Sequence, residues 1–381
     1  MPEIEQGPIR PPSEAHSLLL RVTRNCSWNY CEFCHIYKGE RFSPRTVEEV
    51  KKDIDAIQAM VSEIRSLSWS RGFGGEINAS LASSILNRPH LFPEGYRSVI
   101  FWLYKGGRNV FLQDANNLIL RTRDLVEILT YLRKTFPSVE RITTYSRAKT
   151  VSRKSLDELR ELHDAGLSRI HIGLESGYDR LLEFMKKGVT ARDHIDAGRK
   201  VKEAGISLSE YIMPGLGGRS MWREHAIETA RVLNQIDPHF IRLRTFKALK
   251  IMPLYPKIES GELQLMNDDE IIVELKLLIE NLDGIHSRFT SDHILNLLEE
   301  LDGDLPQAKE PMLAVIGRYL ALDSAERENF RLGRRGGFYR SLNDLKNPEL
   351  RARVDQIRER IEGERPGQFE EVISELMESF I

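Results

Sequence analysis

Six short apolar segments alternate with longer amphipathic segments along the first two-thirds of the chain. The apolar segments are rich in β-branched residues and are bounded by polar residues or glycine, a pattern typical of buried strands. The predicted strands cover residues 17–23, 108–114, 139–146, 168–175, 206–214 and 239–246.

The segments between the strands have the apolar spacing and the capping residues of helices. Ser43-Pro44, or alternatively the capping-box pair Thr46 and Glu49, predicts the start of the first helix, and Ser155 with Glu158 predicts the start of a later one. Strand and helix alternate six times, which favours right-handed βαβ units and therefore an α/β fold.

Six such units predict a partial (β/α)6 TIM-like barrel rather than a closed eight-stranded one. We expect an N-terminal arm at 1–16, the barrel at 17–264 with an insertion at 68–107, and a strandless helical C-terminal region at 265–381. In parallel barrels the chemistry lies at the carboxyl ends of the strands, so polar residues there are the candidates for function.

Charge and hydropathy limit the kinds of partner that the protein is expected to bind. The net charge is -2 and 41% of the residues are hydrophobic, so no global electrostatic attraction to nucleic acid is expected. No apolar run approaches the roughly 18 residues that span a bilayer, and the first residues lack the apolar core of a signal peptide. We therefore expect a cytoplasmic protein with no membrane partner and no nucleic acid partner.

The three cysteines of the chain, Cys26, Cys31 and Cys34, fall within nine residues. This grouping argues against a disulfide scaffold and indicates a soft metal centre, either zinc or an iron–sulfur cluster. Structural zinc needs four ligands, and His35 directly after Cys34 is poorly placed to be the fourth. Three thiolates leave one iron of a [4Fe–4S] cluster open, as a substrate-binding cluster requires.

The segment CSWNYCEFC resembles the cysteine loop of the radical S-adenosylmethionine (SAM) superfamily, including the aromatic Phe33 before the last cysteine. The usual spacing in that family is C-x3-C-x2-C, and this chain has one extra residue. Later segments resemble the branch that contains oxygen-independent coproporphyrinogen oxidases, tRNA methylthiotransferases and the Elongator catalytic subunit. These segments are GLESG (173–177), KKGVT (186–190), KEAGI (202–206), IMPGLGG (212–218) and RTFKALKIMPLY (244–255).

The resemblance implies which strand-end residues contact SAM. We expect the cofactor-binding residues to be Phe33, Gln113, Asp114, Ser146, Arg147, Glu175, Gly215, Gly217 and Arg244. Structural alternatives stay open for several of them. Glu175 fits a helix-start carboxylate, Arg147 a surface salt bridge, and the glycines an ordinary turn.

Arg242 and Arg244 alternate along the sixth strand and therefore face the same side. If that side is the interior, two arginines are costly unless paired, and an anionic substrate or the SAM carboxylate would explain them. If it faces solvent, they need no explanation. Asp292 and His293 in the C-terminal region are the candidate catalytic residues, although a lone histidine is more often structural.

The activity implied by the resemblance is reductive cleavage of SAM at the [4Fe–4S] cluster to a 5′-deoxyadenosyl radical, which abstracts hydrogen from a small-molecule or peptide substrate. Such an oxygen-sensitive enzyme needs an electron donor such as ferredoxin or flavodoxin. With only three cysteines, a second thiolate-held cluster is excluded, which argues against methylthiotransferase chemistry. Two alternatives remain: a zinc-stabilised barrel that binds RNA or protein, and a SAM-cleaving maturase for another protein.

Overall fold

The computed structural model describes residues 3–380, and its strands confirm the predicted α/β class. The strands are β1 (Leu18–Arg21), β2 (Thr23–Arg24), β3 (Ser43–Pro44), β4 (Asn109–Gln113), β5 (Arg141–Ser146), β6 (Leu167–Glu175), β7 (Ser207–Ile212), β8 (Phe240–Leu243), β9 (Arg288–Thr290) and β10 (Gly303–Asp304). Eight of them form one sheet in the order β1-β4-β5-β6-β7-β8-β9-β10.

Helices connect these strands. They are α1 (Val47–Ser70), α2 (Ala79–Leu86), α3 (Glu94–Tyr104), α4 (Thr122–Thr135), α5 (Ala148–Arg153), α6 (Leu156–Asp164), α7 (Asp179–Phe184), α8 (Ala191–Glu203), α9 (Gly218–Ile236), α10 (Tyr255–Glu259), α11 (Asp268–Glu280), α12 (Lys309–Leu320), α13 (Ser324–Arg335), α14 (Pro348–Glu364) and α15 (Phe369–Glu378). None of the helices within residues 3–380 is long and apolar enough to cross a membrane.

All six predicted strands are present, but the expectation of a strandless C-terminal region is wrong. β9 pairs in parallel with β8, and β10 pairs antiparallel with β9. β9 is only three residues long and begins with an arginine, so it is too short to show the alternation by which strands are recognised.

The first helix begins at the second of its two predicted starts. Thr46 and Glu49 form a complete capping box, in which the Glu49 amide donates to Thr46 Oγ1 and the Thr46 amide donates to Glu49 Oε2. Ser43 and Pro44 instead form β3, which pairs antiparallel with β2. The Ser155–Glu158 capping box at the start of α6 is confirmed.

The chain divides into two compact units, which do not follow the predicted boundary at residue 264. The first unit contains the residues up to Asn29 together with Ile36–Ile172 and Asp196–Leu208. The second contains Tyr30–His35, Gly173–Ile195 and the residues from Ser209 onward. The division therefore falls inside β6, inside β7 and inside the cysteine loop.

Each unit has an apolar core of its own. In the first unit α1 and α4 bury the stripes that their sequence periodicity predicts. In the second unit, α13 carries Arg331 and Arg335, which both contact the buried Asp268 at the start of α11. Burial opposes ionisation of this carboxyl, but the two guanidinium groups hold the pKa of Asp268 below its ordinary value.

Candidate functional site

The start of the cysteine loop, in the first unit, is held by the fully buried carboxylate of Asp114. Asp114 follows β4 in a left-handed conformation, with φ of 76°. It accepts hydrogen bonds from Arg21 Nε at 2.6 Å, from Tyr37 Oη at 2.6 Å and from the amide of Asn25, the residue before Cys26, at 3.3 Å. Burial and the Asp114 charge both raise the pKa of Tyr37, so this hydroxyl stays a donor.

Asn116 joins the same loop to the end of β5. Its side-chain amide donates to Ser27 Oγ and to Thr150 Oγ1, each at 2.8 Å. Its side-chain oxygen accepts from Ser146 Oγ and from the Arg147 amide, each at 3.0 Å. All four hydrogen-bonding positions of this buried side chain are therefore used, and Ser146 is engaged through it.

Two further predicted SAM ligands have neighbours within the first unit. The Gln113 side chain accepts from the Gly7 amide and donates to the Gly7 carbonyl, each at 2.9 Å, so it anchors the N-terminal segment. The Arg147 guanidinium lies 4.8 Å from the centre of the Trp28 ring. Both arrangements account for these residues structurally, and their contact with SAM stays a prediction.

The remainder of the cysteine loop, in the second unit, is held through Glu32. Its amide donates to the Met185 carbonyl, and its carbonyl accepts from the Leu254 amide. The buried carboxylate contacts Lys186 at 2.5 Å and Lys257 at 2.8 Å. Burial opposes ionisation, but these two ammonium groups hold the pKa of Glu32 below its ordinary value.

Cys31 and Cys34 pack against an apolar cluster of the second unit. The cluster is made of Phe33, Leu181, Met185, Met213, Leu216, Phe246, Ala248, Met252, Leu254 and Leu263. An apolar surrounding lowers the local dielectric and limits the access of water, two conditions that tune an iron–sulfur centre. All three cysteines are partly exposed, so their thiols are accessible to a metal.

The predicted SAM ligand Glu175 ends β6 in a left-handed conformation, with φ of 61°. Its carboxylate folds back over Gly173, where a Cβ would meet Glu175 Oε1 at 2.2 Å. It lies 3.4 Å from Lys187 Nζ, and that ammonium lies 5.6 Å from the centre of the Phe33 ring. The structure therefore brings two predicted residues, Glu175 and Phe33, to one cation that sequence reasoning missed.

A second missed residue is Glu210 on β7. It is fully buried, and neither of its carboxylate oxygens has a hydrogen-bond partner within residues 3–380. Burial and the nearby Glu175 charge raise its pKa well above the ordinary value, and Lys187 opposes that shift. An unsatisfied buried carboxyl is costly, so Glu210 is a candidate functional residue.

The GLESG and GLGG turns are joined by His225 of α9 and Glu274 of α11. His225 Nε2 lies 3.1 Å from the Glu175 carbonyl oxygen, and His225 Nδ1 lies 3.0 Å from Glu274 Oε1. The other Glu274 oxygen accepts from the Gly215 amide at 2.8 Å. This amide is therefore occupied by the protein, and Gly215, with φ of 86°, also meets the need of the turn for glycine.

Arg242 and Arg244 differ in their surroundings. Arg242 is buried and forms an ion pair with Asp292 at 3.2 Å, so one candidate catalytic residue serves as its counterion. His293 is half-buried, and burial together with the Arg244 charge lowers its pKa to about 4. His293 is therefore uncharged at neutral pH.

The residues that sequence reasoning missed carry weak local signals. Glu210 is a lone acid within a strand, and Glu274 interrupts the apolar face of α11 between Ile271 and Leu278. A charged residue at a core position is a usable signal, because such residues are rarely buried without a partner or a role.

Within residues 3–380, no three His, Cys, Asp or Glu side chains form a compact group around a single ion position.

Comparison with known proteins gives a family and several partial relatives. The family model described as the radical SAM superfamily matches residues 20–230, more than half of the chain. The tRNA uridine(34) acetyltransferase of Methanocaldococcus jannaschii is 26% identical over 116 residues, covering 30% of this chain and 21% of that protein. The tRNA-2-methylthio-N(6)-dimethylallyladenosine synthase of Hahella chejuensis is 26% identical over 246 residues, covering 62% of this chain and 44% of that protein.

The chain thus spans less than half the length of these two relatives. Among solved structures, coproporphyrinogen III oxidase from Escherichia coli is similar with a TM-score of 0.46 and 15% identity, over 70% of this chain and 52% of that one. The match over residues 20–230 shows that the chain belongs to the radical SAM superfamily, and it is an enzyme whose cofactors are a [4Fe–4S] cluster and SAM.

Proposed function

We propose that this enzyme reductively cleaves SAM at a [4Fe–4S] cluster held by Cys26, Cys31 and Cys34. The observation that carries the proposal is the cysteine loop, which contains every thiol of the chain and places Cys31 and Cys34 against an apolar cluster. When bound, the cluster and SAM supply the one-electron cleavage that yields methionine and a 5′-deoxyadenosyl radical, the species that abstracts hydrogen from substrate.

The protein residues have positioning roles in this proposal. Asp114 and Asn116 hold the residues on either side of Cys26. Glu32 fixes the backbone between Cys31 and Cys34. Since cluster and substrate must be held within fractions of an ångström for radical transfer, these hydrogen bonds supply the rigidity that the reaction needs.

Glu175, Lys187, Phe33 and Glu210 are our proposed SAM contacts. SAM carries a carboxylate, an ammonium and a sulfonium, and therefore one net positive charge. The Glu175–Lys187 pair offers one group of each sign. Glu210 provides the additional negative charge, and its ionisation on SAM binding would relieve the cost of a buried carboxyl without a partner.

Of the other predicted SAM contacts, we keep six as proposals with less support: Gln113, Asp114, Ser146, Arg147, Gly215 and Gly217. Gln113, Asp114 and Ser146 already hydrogen-bond to the protein, which supports positioning roles for them. Gly215 and Gly217 would contact SAM through backbone atoms other than the Gly215 amide.

We also propose a small-molecule or peptide substrate and an external electron donor such as ferredoxin or flavodoxin. A SAM-cleaving maturase for another protein remains the alternative proposal, whereas membership of the radical SAM superfamily overturns the zinc-stabilised binding module.

Anaerobic reconstitution with iron and sulfide, followed by reduction with dithionite, tests the proposal. We expect a brown protein with about four irons per chain, as a thiolate-held cubane requires, and 5′-deoxyadenosine by mass spectrometry. Cys31→Ala should lose both, whereas Tyr30→Ala, which changes the exposed neighbouring residue, should retain both. A colourless zinc protein, or a Cys31→Ala variant that keeps the cluster or the product, would contradict the proposal.

A further inference from the structure

Two arginines, Arg242 in β8 and Arg244 just past its end, differ in what neutralises them. Arg242 Nε donates to Ser209 Oγ at 3.2 Å, and its Nη1 contacts Asp292 at 3.2 Å. Its guanidinium also lies 5.3 Å from the centre of the Phe240 ring. Arg242 is therefore a buried charge whose requirements are met within the protein.

Arg244 lies two residues further on, just past the carboxyl end of β8. Its backbone amide continues the sheet by donating to the Ile212 carbonyl at 3.0 Å. Its side chain is half-buried, and its guanidinium has neither a hydrogen bond nor an ion pair in the described part of the chain. A partly desolvated cation without a counterion lowers stability, and a ligand anion would reverse that cost.

Side-chain hydrogen bonds hold the backbone on both sides of Arg244. The buried Asn296 side chain donates to the Leu243 carbonyl at 3.0 Å and accepts from the Thr245 amide at 2.9 Å, so it brackets Arg244 on both sides. The same segment carries His293, whose Nδ1 accepts from the Leu295 amide at 3.2 Å. The backbone on both sides of Arg244 is thus held in place.

We infer that Arg244 is the receptor for an anionic group, a carboxylate or a phosphate, on the substrate of this enzyme. The inference rests on the proposed function for the nature of the reaction. A planar guanidinium binds either anion through two parallel hydrogen bonds, which would orient the substrate as well as hold it. The carboxyl end of a parallel strand is also where substrates of this fold class bind.

The anion is assigned to the substrate rather than to SAM because a cation for SAM is already accounted for. Lys187 lies beside Glu175 and Phe33, the two residues that we propose as SAM contacts. Asp292 is engaged by Arg242, which leaves no carboxylate to neutralise Arg244 within residues 3–380. His293 adds no charge, since its pKa is about 4.

Inorganic phosphate and acetate are the probes that test this site. The thermal midpoint of the anaerobically reconstituted protein is measured with each anion at millimolar concentration, against chloride at the same ionic strength. Arg244→Met is compared with Arg242→Met, which removes the same charge two residues away. We expect one anion to raise the midpoint of the wild type and of Arg242→Met, and its affinity to fall about 10- to 100-fold in Arg244→Met, since charge-assisted hydrogen bonds are lost.

The anion that acts identifies the substrate group as phosphate or carboxylate. An unchanged response in Arg244→Met, or no response in the wild type, would overturn the inference. The SAM dissociation constant is measured in parallel, and a tenfold weakening in Arg244→Met, roughly the loss of one charged hydrogen bond, would reassign Arg244 to the SAM carboxylate. Anion binding does not require SAM cleavage, so failure of the proposed function would appear separately as the absence of 5′-deoxyadenosine.

Discussion

The polar residues of the first unit and those of the second differ in whether the protein itself supplies their hydrogen bonds and counterions. In the first unit, Asp114 and Asn116 are buried and use their hydrogen-bonding capacity on the protein itself. In the second, Glu210 is buried without a hydrogen bond and Arg244 is half-buried without a counterion, as far as residues 3–380 extend. We propose that the residues with internal partners support the site and that those without partners bind ligands.

This difference should be visible when stability and activity are measured separately. Removing an internally satisfied group leaves its partners unpaired, which lowers the free energy of unfolding. Removing an unsatisfied group relieves a cost, and the penalty appears only in binding or turnover.

Asp114→Asn should give the largest loss of stability. The change leaves the guanidinium of Arg21 without its buried carboxylate and weakens the hydrogen bond from Tyr37. We expect a decrease of about 3 kcal/mol in the free energy of unfolding, as is usual when one partner of a buried ion pair is removed. Urea titration of the apo protein measures it. Asp157→Asn, on an exposed carboxylate, is the control, and equal effects of the two changes would remove the contrast.

Asn116→Ala should be the next most destabilising change. It removes four hydrogen bonds and leaves the hydroxyls of Ser27 and Ser146 without this partner. We expect a loss of about 2 kcal/mol from the unmet hydrogen bonds. The same titration applies, with Asn343→Ala on the surface as control. A loss no larger than that of the control would show that Asn116 does not support the cysteine loop.

Glu210→Gln should leave the protein as stable as the wild type or more so, while lowering SAM affinity. The folded-state pKa of Glu210 is raised, so its contribution to stability is complete below the ordinary pKa and decreases as the pH rises above it. At pH 7 the substitution should therefore raise the free energy of unfolding, because the amide carries no charge that burial penalises. Unfolding measured at pH 5 and at pH 7 tests the sign. A variant that is less stable at pH 7 would place Glu210 among the structural residues.

Without a bound anion, Arg244→Met should have the smallest effect of the four changes, a rise in the pKa of His293. Burial is the main cause of the depressed value of about 4, and the Arg244 charge is the second, so removal of that charge moves the pKa only part of the way towards 6.5. Proton titration of the His293 ring by NMR in the apo protein measures the shift. Arg242→Met should leave it unchanged, and an equal shift in both variants would mean that Arg244 is no nearer to His293 than Arg242 is.

Local sequence patterns were sufficient to predict much of the architecture. The six predicted strands and the Thr46–Glu49 and Ser155–Glu158 capping boxes depend on residues close together in sequence, so propensity and periodicity reveal them. The cysteine loop and the GLESG segment are equally local. They were enough to indicate the superfamily, which the match over residues 20–230 confirms.

Other properties depend on residues far apart in the chain and needed the folded structure. Arg242 and Arg244 look alike in sequence, yet only Arg242 meets a carboxylate, 50 residues away at Asp292. Asp114 accepts a hydrogen bond from Tyr37, 77 residues away in sequence, and the Gly215 amide donates to Glu274, 59 residues away. Whether a buried charge is structural or functional is decided by what the fold places next to it. That neighbour is set by tertiary packing, which no local pattern records.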